Sequence, residues 1–309
     1  MQIYLPIAEL STNMFIIFGM GGAVGFISGM FGVGGGFLLT PLLIFSGIPP
    51  VVSIASVSAQ IAASSTSAAL SYFRRGLIDF KLAGVLLAAG VVGSTSGVMA
   101  FTVLERLGQL DLIVSFSYVT LLSLVGGLML WESVRAILNA RAGRPSQLRR
   151  PGQHSFLHGL PFKTRFRKSK LYISLIPVVG LGLGIGFLGS MLGIGGGFIL
   201  VPAMIYILKV PTNVVIGTSL VQIVGSMSVA AVLHSVTNQS VDIVLALILM
   251  VGGVIGAQFG ARMGQTIRGE RLRALLALIV LTVAARFLIG LLLTPSEPYS
   301  LDVLRGALL

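Results

Sequence analysis

The sequence predicts an all-α, polytopic membrane protein of two inverted repeats, each with five segments and a helix interrupted by glycines. Three observations carry that fold. Of 309 residues, 55% are hydrophobic and 10% charged, against roughly 25% charged in a typical soluble domain. The mean hydropathy is +1.00, too apolar for a soluble fold, a disordered chain or a secreted scaffold. Apolar runs of membrane-crossing length recur along the chain, and a glycine motif with flanking prolines occurs twice at one spacing.

Residues 1–12 contain no Lys or Arg, so the basic start of a cleavable signal is missing. The first apolar run is Asn13 to Phe31, followed by a break at Gly32, Gly34, Gly35 and Gly36 and a short piece from Phe37 to Ser46. Longer runs follow at 50–73, 82–104 and 110–134. After a polar, basic stretch the pattern restarts at 171–192, breaks at 193–197, continues briefly over 198–208, and runs long at 210–235, 241–263 and 272–294. The long runs meet the roughly 20 residues that a helix needs to cross the hydrocarbon core. A helix of about 10 residues rises only ~15 Å, half that thickness. The predicted division is an N-terminal membrane repeat over 1–134, a basic linker over 135–170, a C-terminal repeat over 171–294 and a tail over 295–309.

The repeat is legible residue by residue. Gly32-Val33-Gly34-Gly35-Gly36-Phe37 matches Gly193-Ile194-Gly195-Gly196-Gly197-Phe198 at an offset of 161, and Pro41 and Pro50 match Pro202 and Pro211. One residue later in register, Ser56 matches Thr218 and Gln60 matches Gln222. Five segments is an odd number, so the second half is expected to enter the membrane from the opposite side.

Charge placement agrees with that topology. The linker holds ten basic residues, and by the positive-inside rule it is cytoplasmic. Counting segments outward from it places every other Lys and Arg inside except Arg106, Arg286 and Arg305, and puts both termini outside. The linker reads as an orientation signal and is compatible with anionic lipid. The net charge of +12 therefore reports orientation, not nucleic-acid binding. There is no cysteine, and the three histidines and nine acids are too scattered for a metal cluster, so neither a metal nor a cofactor is expected. No acid–base pair suggests an enzyme, and no nucleotide-binding loop is present.

Broken helices inside inverted repeats are a transporter architecture. Non-helical backbone at membrane depth survives only when buried in protein or lining a wet cavity. A half-helix starting there offers free N–H groups and the positive end of its dipole, which suits an anion. The expected cradle is Gly34, Gly35, Gly36, Gly195, Gly196 and Gly197, with the N–H groups of Phe37, Leu38, Phe198 and Ile199. Gln60, Thr218, Ser219 and Gln222 are the expected side-chain donors. The alternative for the glycines is close helix packing. The scattered Ser and Thr read as interhelical glue. Arg286 is within snorkelling reach of the outer surface and is a candidate for attracting the anion. His234 reads as a solvated interfacial group, with a proton relay the alternative, and Asp79 and Asp242 read as helix caps or loop charges, with gating the alternative.

The stretches Gly29-Met30-Phe31-Gly32-Val33-Gly34-Gly35-Gly36-Phe37-Leu38-Leu39-Thr40-Pro41 and Gly189-Ser190-Met191-Leu192-Gly193-Ile194-Gly195-Gly196-Gly197-Phe198-Ile199-Leu200-Val201-Pro202 resemble the paired motifs of the sulfite exporter TauE/SafE family, or TSUP permeases. Gly217-Thr218-Ser219-Leu220 resembles that family's recurring Gly-Thr-Ser-Leu, whereas the first half has Ser56-Val57-Ser58-Ala59. The resemblance spans roughly residues 13–294. It implies an inner-membrane permease for sulfite, organosulfonates, thiosulfate or related anions. The expected function is secondary transport by alternating access, with export favoured; the alternative is an anion channel using the same site. The expected partners are a small anionic substrate and the lipid bilayer, with no nucleic acid; a homo-oligomer is compatible with the sequence.

Overall fold

A computed structural model describes residues 2–141, 163–166, 168–169, 171–208, 210–263 and 269–292. The first half runs β1 (Gln2–Leu5), β2 (Leu10–Asn13), α1 (Met14–Phe31), α2 (Gly36–Phe45), α3 (Pro50–Arg74), α4 (Phe80–Arg106) and α5 (Leu110–Arg141). The second runs β3 (Lys163–Phe166), β4 (Leu171–Ser174), α6 (Leu175–Leu192), α7 (Gly197–Tyr206), α8 (Thr212–Leu233), α9 (Ile243–Met263) and α10 (Gly269–Leu292). Among the described residues, seven helices are long and apolar enough to cross a membrane, and α2 and Ala277–Leu292 are shorter apolar helices. Large apolar side chains such as Phe116, Trp131 and Val251 are exposed on their outer faces, as a lipid-facing surface requires.

The helices follow the apolar runs closely, with two differences. Helix α5 continues to Arg141, into the stretch expected to be linker; residues 142–162 and the tail from 293 lie outside the described residues. The expected all-α fold also gains two antiparallel hairpins, β1–β2 and β3–β4, one before the first helix of each half. Each strand is only four residues long, too short for alternation to register as a pattern.

Local chemistry sets the helix ends. Asn13 and Ser174 cap α1 and α6 by accepting from the N–H two residues on. Asp79 and Asp242 cap α4 and α9, accepting from Leu82 N at 3.3 Å and Leu245 N at 3.1 Å. Pro49-Pro50 and Pro211 start α3 and α8, where a missing N–H costs nothing.

Packing crosses between the halves. Helix α1 lies against α9 and α4 against α6; α3 packs on α8, and α5 on α10. Small residues make the first two contacts possible. Gly21, Gly25 and Gly29 of α1 meet the backbone at Leu249, Gly253 and Ala257 of α9, so a methyl on any of them would run into main chain. Gly182 and Gly186 of α6 stand in the same relation to Leu86 and Gly90 of α4. Such spacing of small residues lets membrane helices approach at backbone distance.

Candidate functional site

The glycine breaks turn the chain sharply. Helix α1 ends at Gly32 (φ 67°) and α6 at Gly193 (φ 65°), both left-handed. Gly35 (φ 70°) and Gly196 (φ 73°) then open α2 and α7 in the same region. A residue with a Cβ is strained there by about 1–2 kcal/mol, which explains why glycine recurs at these positions.

The two breaks lie against each other. A Cβ on Gly36 would meet Gly193 O and Ile194 C, and one on Gly197 would meet Val33 O. The first side chains of α2 and α7, Phe37 and Phe198, stack with ring centroids 4.5 Å apart and planes 12° from parallel. The N-termini of the two short helices therefore converge. Ile61 reaches Gly34, Gly36 and Gly195, while Ile223 reaches Gly34 and Gly197. These isoleucines directly follow Gln60 and Gln222, a matched pair that the duplicated register could have disclosed.

The structure brings together most of the expected residues. Gly34–Gly36, Gly195–Gly197, Phe37 and Phe198 form the junction; Leu38 is buried beside it and Ile199 partly buried. The Leu38 and Ile199 N–H groups donate to Gly35 O and Gly196 O, each at 3.1 Å, in the first helical turns. The Phe37 and Phe198 N–H groups have no hydrogen-bond acceptor among the described residues. Gln60 is fully buried, and neither its Nε2 nor its Oε1 has a partner there. Its amide presses on Gly253 of α9. Gln222 presses likewise on Gly90 of α4; its Nε2 donates to Ser226 Oγ at 2.9 Å, and its Oε1 is unpaired. Ser28 Oγ, also unpaired, sits where Gly35 packs on α1.

Thr218 and Ser219 have other neighbours. Thr218 Oγ1 accepts from Asp79 N at 3.2 Å, as Ser56 Oγ accepts from Asp242 N at 3.0 Å. Ser219 Oγ donates to Ile216 O at 2.9 Å and to Gly32 O at 3.3 Å, and Thr40 Oγ1 donates to Gly193 O at 3.0 Å. Each half thus ties down the other half's break, using residues that are not at matching positions. Thr40 and Ser28 were not singled out from sequence, because a lone hydroxyl in an apolar run carries no pattern. Arg286 is exposed, its guanidinium 5.4 Å from the Phe45 ring at the far end of α2. Nine residues separate Phe45 from Gly36, a rise of about 13 Å, so Arg286 is not beside the junction.

A family model described as Sulfite exporter TauE/SafE matches residues 17–287. The chain belongs to the sulfite exporter TauE/SafE family. Among curated proteins it is similar to a "Probable membrane transporter protein" of Xylella fastidiosa (strain 9a5c), 28% identical over 276 residues, covering 88% of this chain and 94% of the relative. It is also similar to "Probable membrane transporter protein YunE" of Bacillus subtilis (strain 168), 25% identical over 294 residues, 90% of this chain and 98% of that one. "Sulfite exporter TauE/SafE family protein 5" of Arabidopsis thaliana is 36% identical over 106 residues, 34% of this chain and 23% of the relative. No solved structure matches. With seven helices of membrane-crossing length among the described residues, this member of the family is a multi-pass membrane protein. Among the described residues no group of His, Cys, Asp and Glu could hold a metal ion.

The matched glycine-to-phenylalanine stretches both lie inside the family match. Their place in the fold is the convergence of two helix N-termini, filled by Ile61 and Ile223, each of which follows a buried, incompletely paired amide at Gln60 or Gln222. In a low-dielectric interior such groups attract an anion through N–H dipoles without a formal charge.

Proposed function

We propose that this TauE/SafE protein is a secondary transporter of small sulfur-containing oxyanions, such as sulfite, organosulfonates or thiosulfate. The observation that carries this is the junction: two glycine-capped helix N-termini meet at Phe37 and Phe198 and are filled by Ile61, the residue after Gln60, whose amide atoms both lack a partner among the described residues. An unpaired buried polar atom costs about 1–3 kcal/mol. An oxyanion gains N–H donors from Gln60 and Gln222 and from the helix starts at Phe37 and Phe198. Thr218 and Ser219 support the site by fixing the connection at Asp79 and the break at Gly32.

The halves operate as inverted repeats. Helix pairs α1–α9 and α4–α6 exchange places under the pseudo-two-fold that relates the first half to the second, while α3–α8 and α5–α10 map onto themselves. The hairpins obey the same relation. Asp242 Oδ2 accepts from Ile7 N (2.9 Å) and Ala8 N (3.4 Å) in the first hairpin's turn, and Asp79 Oδ2 accepts from Ser169 N (3.0 Å) and Ser169 Oγ (2.7 Å) in the second. Each aspartate thus latches a hairpin to the opposite half, and Lys81 and Lys168 lie at the Asp79 latch, donating to Arg165 O and Gly76 O. This agrees with a cytoplasmic linker and outward termini under the positive-inside rule and with residence in a bacterial inner membrane.

Ile61 and Ile223 fill the junction, which favours a carrier that opens one side at a time over a standing pore. An inside-negative potential favours anion export by about 2.3 kcal/mol per charge per 100 mV. The test is counterflow in proteoliposomes with sulfite, thiosulfate, sulfate, sulfoacetate and taurine. A carrier shows saturable flux stimulated by anion on the far side. Single-channel currents, or no flux of any of the five, defeat the proposal.

A further inference from the structure

A run of polar side chains on the face shared by α4, α6 and α8 leads away from the junction to a buried histidine. Gln222 Nε2 donates to Ser226 Oγ (2.9 Å), Ser94 Oγ to Ser226 O (2.8 Å) and Ser190 Oγ to Ser94 O (2.9 Å). Ser190 O then meets His234 Nε2 at 3.2 Å. His234 is not the solvated interfacial group that its sequence position suggests: it is completely buried, with the Phe101 ring edge-on at 4.7 Å between centroids. It opens a π-helical turn, His234–Asn238, a rare geometry concentrated at functional sites.

The partners define its protonation states. A carbonyl only accepts, so Nε2 carries hydrogen. With the Asn238 Nδ2 turned towards Nδ1, at 3.2 Å, Nδ1 is the bare acceptor and this arrangement holds the neutral ring. Asn238 Oδ1 accepts from Thr102 Oγ1 at 2.8 Å, and that hydroxyl also lies 3.0 Å from Val98 O. A half-turn of the Asn238 amide gives a second complete arrangement. Nδ1–H then donates to Asn238 Oδ1, Asn238 Nδ2 donates to Thr102 Oγ1, and Thr102 donates to Val98 O. The first arrangement suits imidazole and the second imidazolium, and both ring nitrogens are paired in each.

We propose that His234 is a proton-binding site near the outer end of α8 and that the bound proton promotes anion occupancy at the junction; the second clause rests on the transport reading. Three links of the run end on carbonyl oxygens, which do not relay protons, so the run fixes positions and does not conduct. The influence on the anion is electrostatic and positional: an imidazolium adds one positive charge where α6 and α8 themselves carry no ionisable group. By linkage, anion binding then tightens proton binding by the same factor. Among the described residues, the other ionisable groups towards this end include Glu105 and Arg106 beyond Thr102 on α4, Asp111 and Tyr118 on α5, Arg286 on α10 beside the Phe287 ring that stacks on Tyr118, Asp242 before α9, and Tyr4 and Glu9 in the first hairpin. Of these, Tyr118 donates to Leu192 O and Asp242 is bound by Ile7 and Ala8. At the matching place the first half has Tyr72, so the device exists on one side only.

The test uses the full chain with His154→Asn and His158→Asn, leaving His234 as the one histidine. Ring ¹⁵N shifts are followed in detergent from pH 8 to about pH 3, with far-UV circular dichroism confirming that the helices persist. The expected result is a reversible change from the Nε2–H tautomer to imidazolium, displaced to lower pH by Asn238→Leu. In proteoliposomes, sulfite flux into vesicles should change by up to about tenfold per pH unit, the slope for one proton. His234→Gln, which donates and accepts like the neutral ring, should flatten that profile. A ring that stays neutral while the protein stays folded, or a titration indifferent to Asn238→Leu, overturns the proton site. A wild-type pH profile in His234→Gln overturns its link to the anion. If none of the five anions moves in any protein, the transport reading fails and that link with it, while the ring titration still decides the site.

Discussion

Replacing Gln60 with methionine separates an anion-binding amide from interhelical glue. The two side chains have similar volume, so packing against Gly253 is conserved. What changes is the pair of buried amide atoms that have no partner among the described residues. At about 1–3 kcal/mol for each unpaired group, removing both should stabilise the anion-free protein by on the order of 2 kcal/mol or more. The bound state shifts the other way. A ligand at 100 times its Kd stabilises the folded protein by about 2.7 kcal/mol, and the methionine loses the donor that earns much of that. Thermal unfolding of detergent-purified protein with and without sulfite, followed by the fluorescence of its one tryptophan, reads both effects. Gln60→Met should unfold at higher temperature than wild type without anion, show a smaller shift with it, and lose counterflow. A variant less stable than wild type that keeps its sulfite shift would refute the reasoning and make Gln60 a packing residue.

The remaining predictions concern the junction and the latches. Gly35→Leu with Gly196→Leu should abolish anion flux, because both positions have positive φ and an added Cβ meets Val24 or Ile185; Gly180→Ala, with open space around it, should transport normally. A Phe37→Ala, Phe198→Ala double-mutant cycle should show a coupling of about 0.5–1.5 kcal/mol in thermal stability, the range for stacked aromatics, and additive losses would mean that the stack holds nothing. Asp242→Ala removes the α9 cap and the acceptor for Ile7 and Ala8, so stability should fall by about 2–4 kcal/mol and the first hairpin should become sensitive to protease. Asp79→Ala should do the same to the second hairpin through Ser169; protection equal to wild type in either variant would count against the latch.

Much of the architecture was legible because membrane physics writes it in one dimension. Crossing helices need long apolar runs, and a sharp turn at membrane depth needs glycine; both leave contiguous marks. Thus Gly32–Gly36 and Gly193–Gly197, the helices around them and the helix-capping part of Asp79 and Asp242 could be read directly. The hairpins could not, since four-residue strands leave too little pattern. Contacts between remote residues were also hidden. Thr218 and Ser219 carry the hydroxyls expected of a binding site, yet what they touch depends on Asp79 and Gly32 arriving from the other half. His234 looked like a surface residue because its depth is set by Phe101, Ser190 and Asn238, not by its place near a helix end.

The sequence by itself determined that the chain lives in a bilayer, that it is duplicated, and where its backbone must bend, since each follows from local composition or from φ. Only the tertiary structure decided that the two bends meet, that Phe37 lies on Phe198, and that Gln60 has no partner among the described residues while Gln222 finds Ser226. Those outcomes depend on which helix faces which. That choice is made by backbone-distance packing of α1 on α9 and α4 on α6, a property of matched surfaces that no single segment contains.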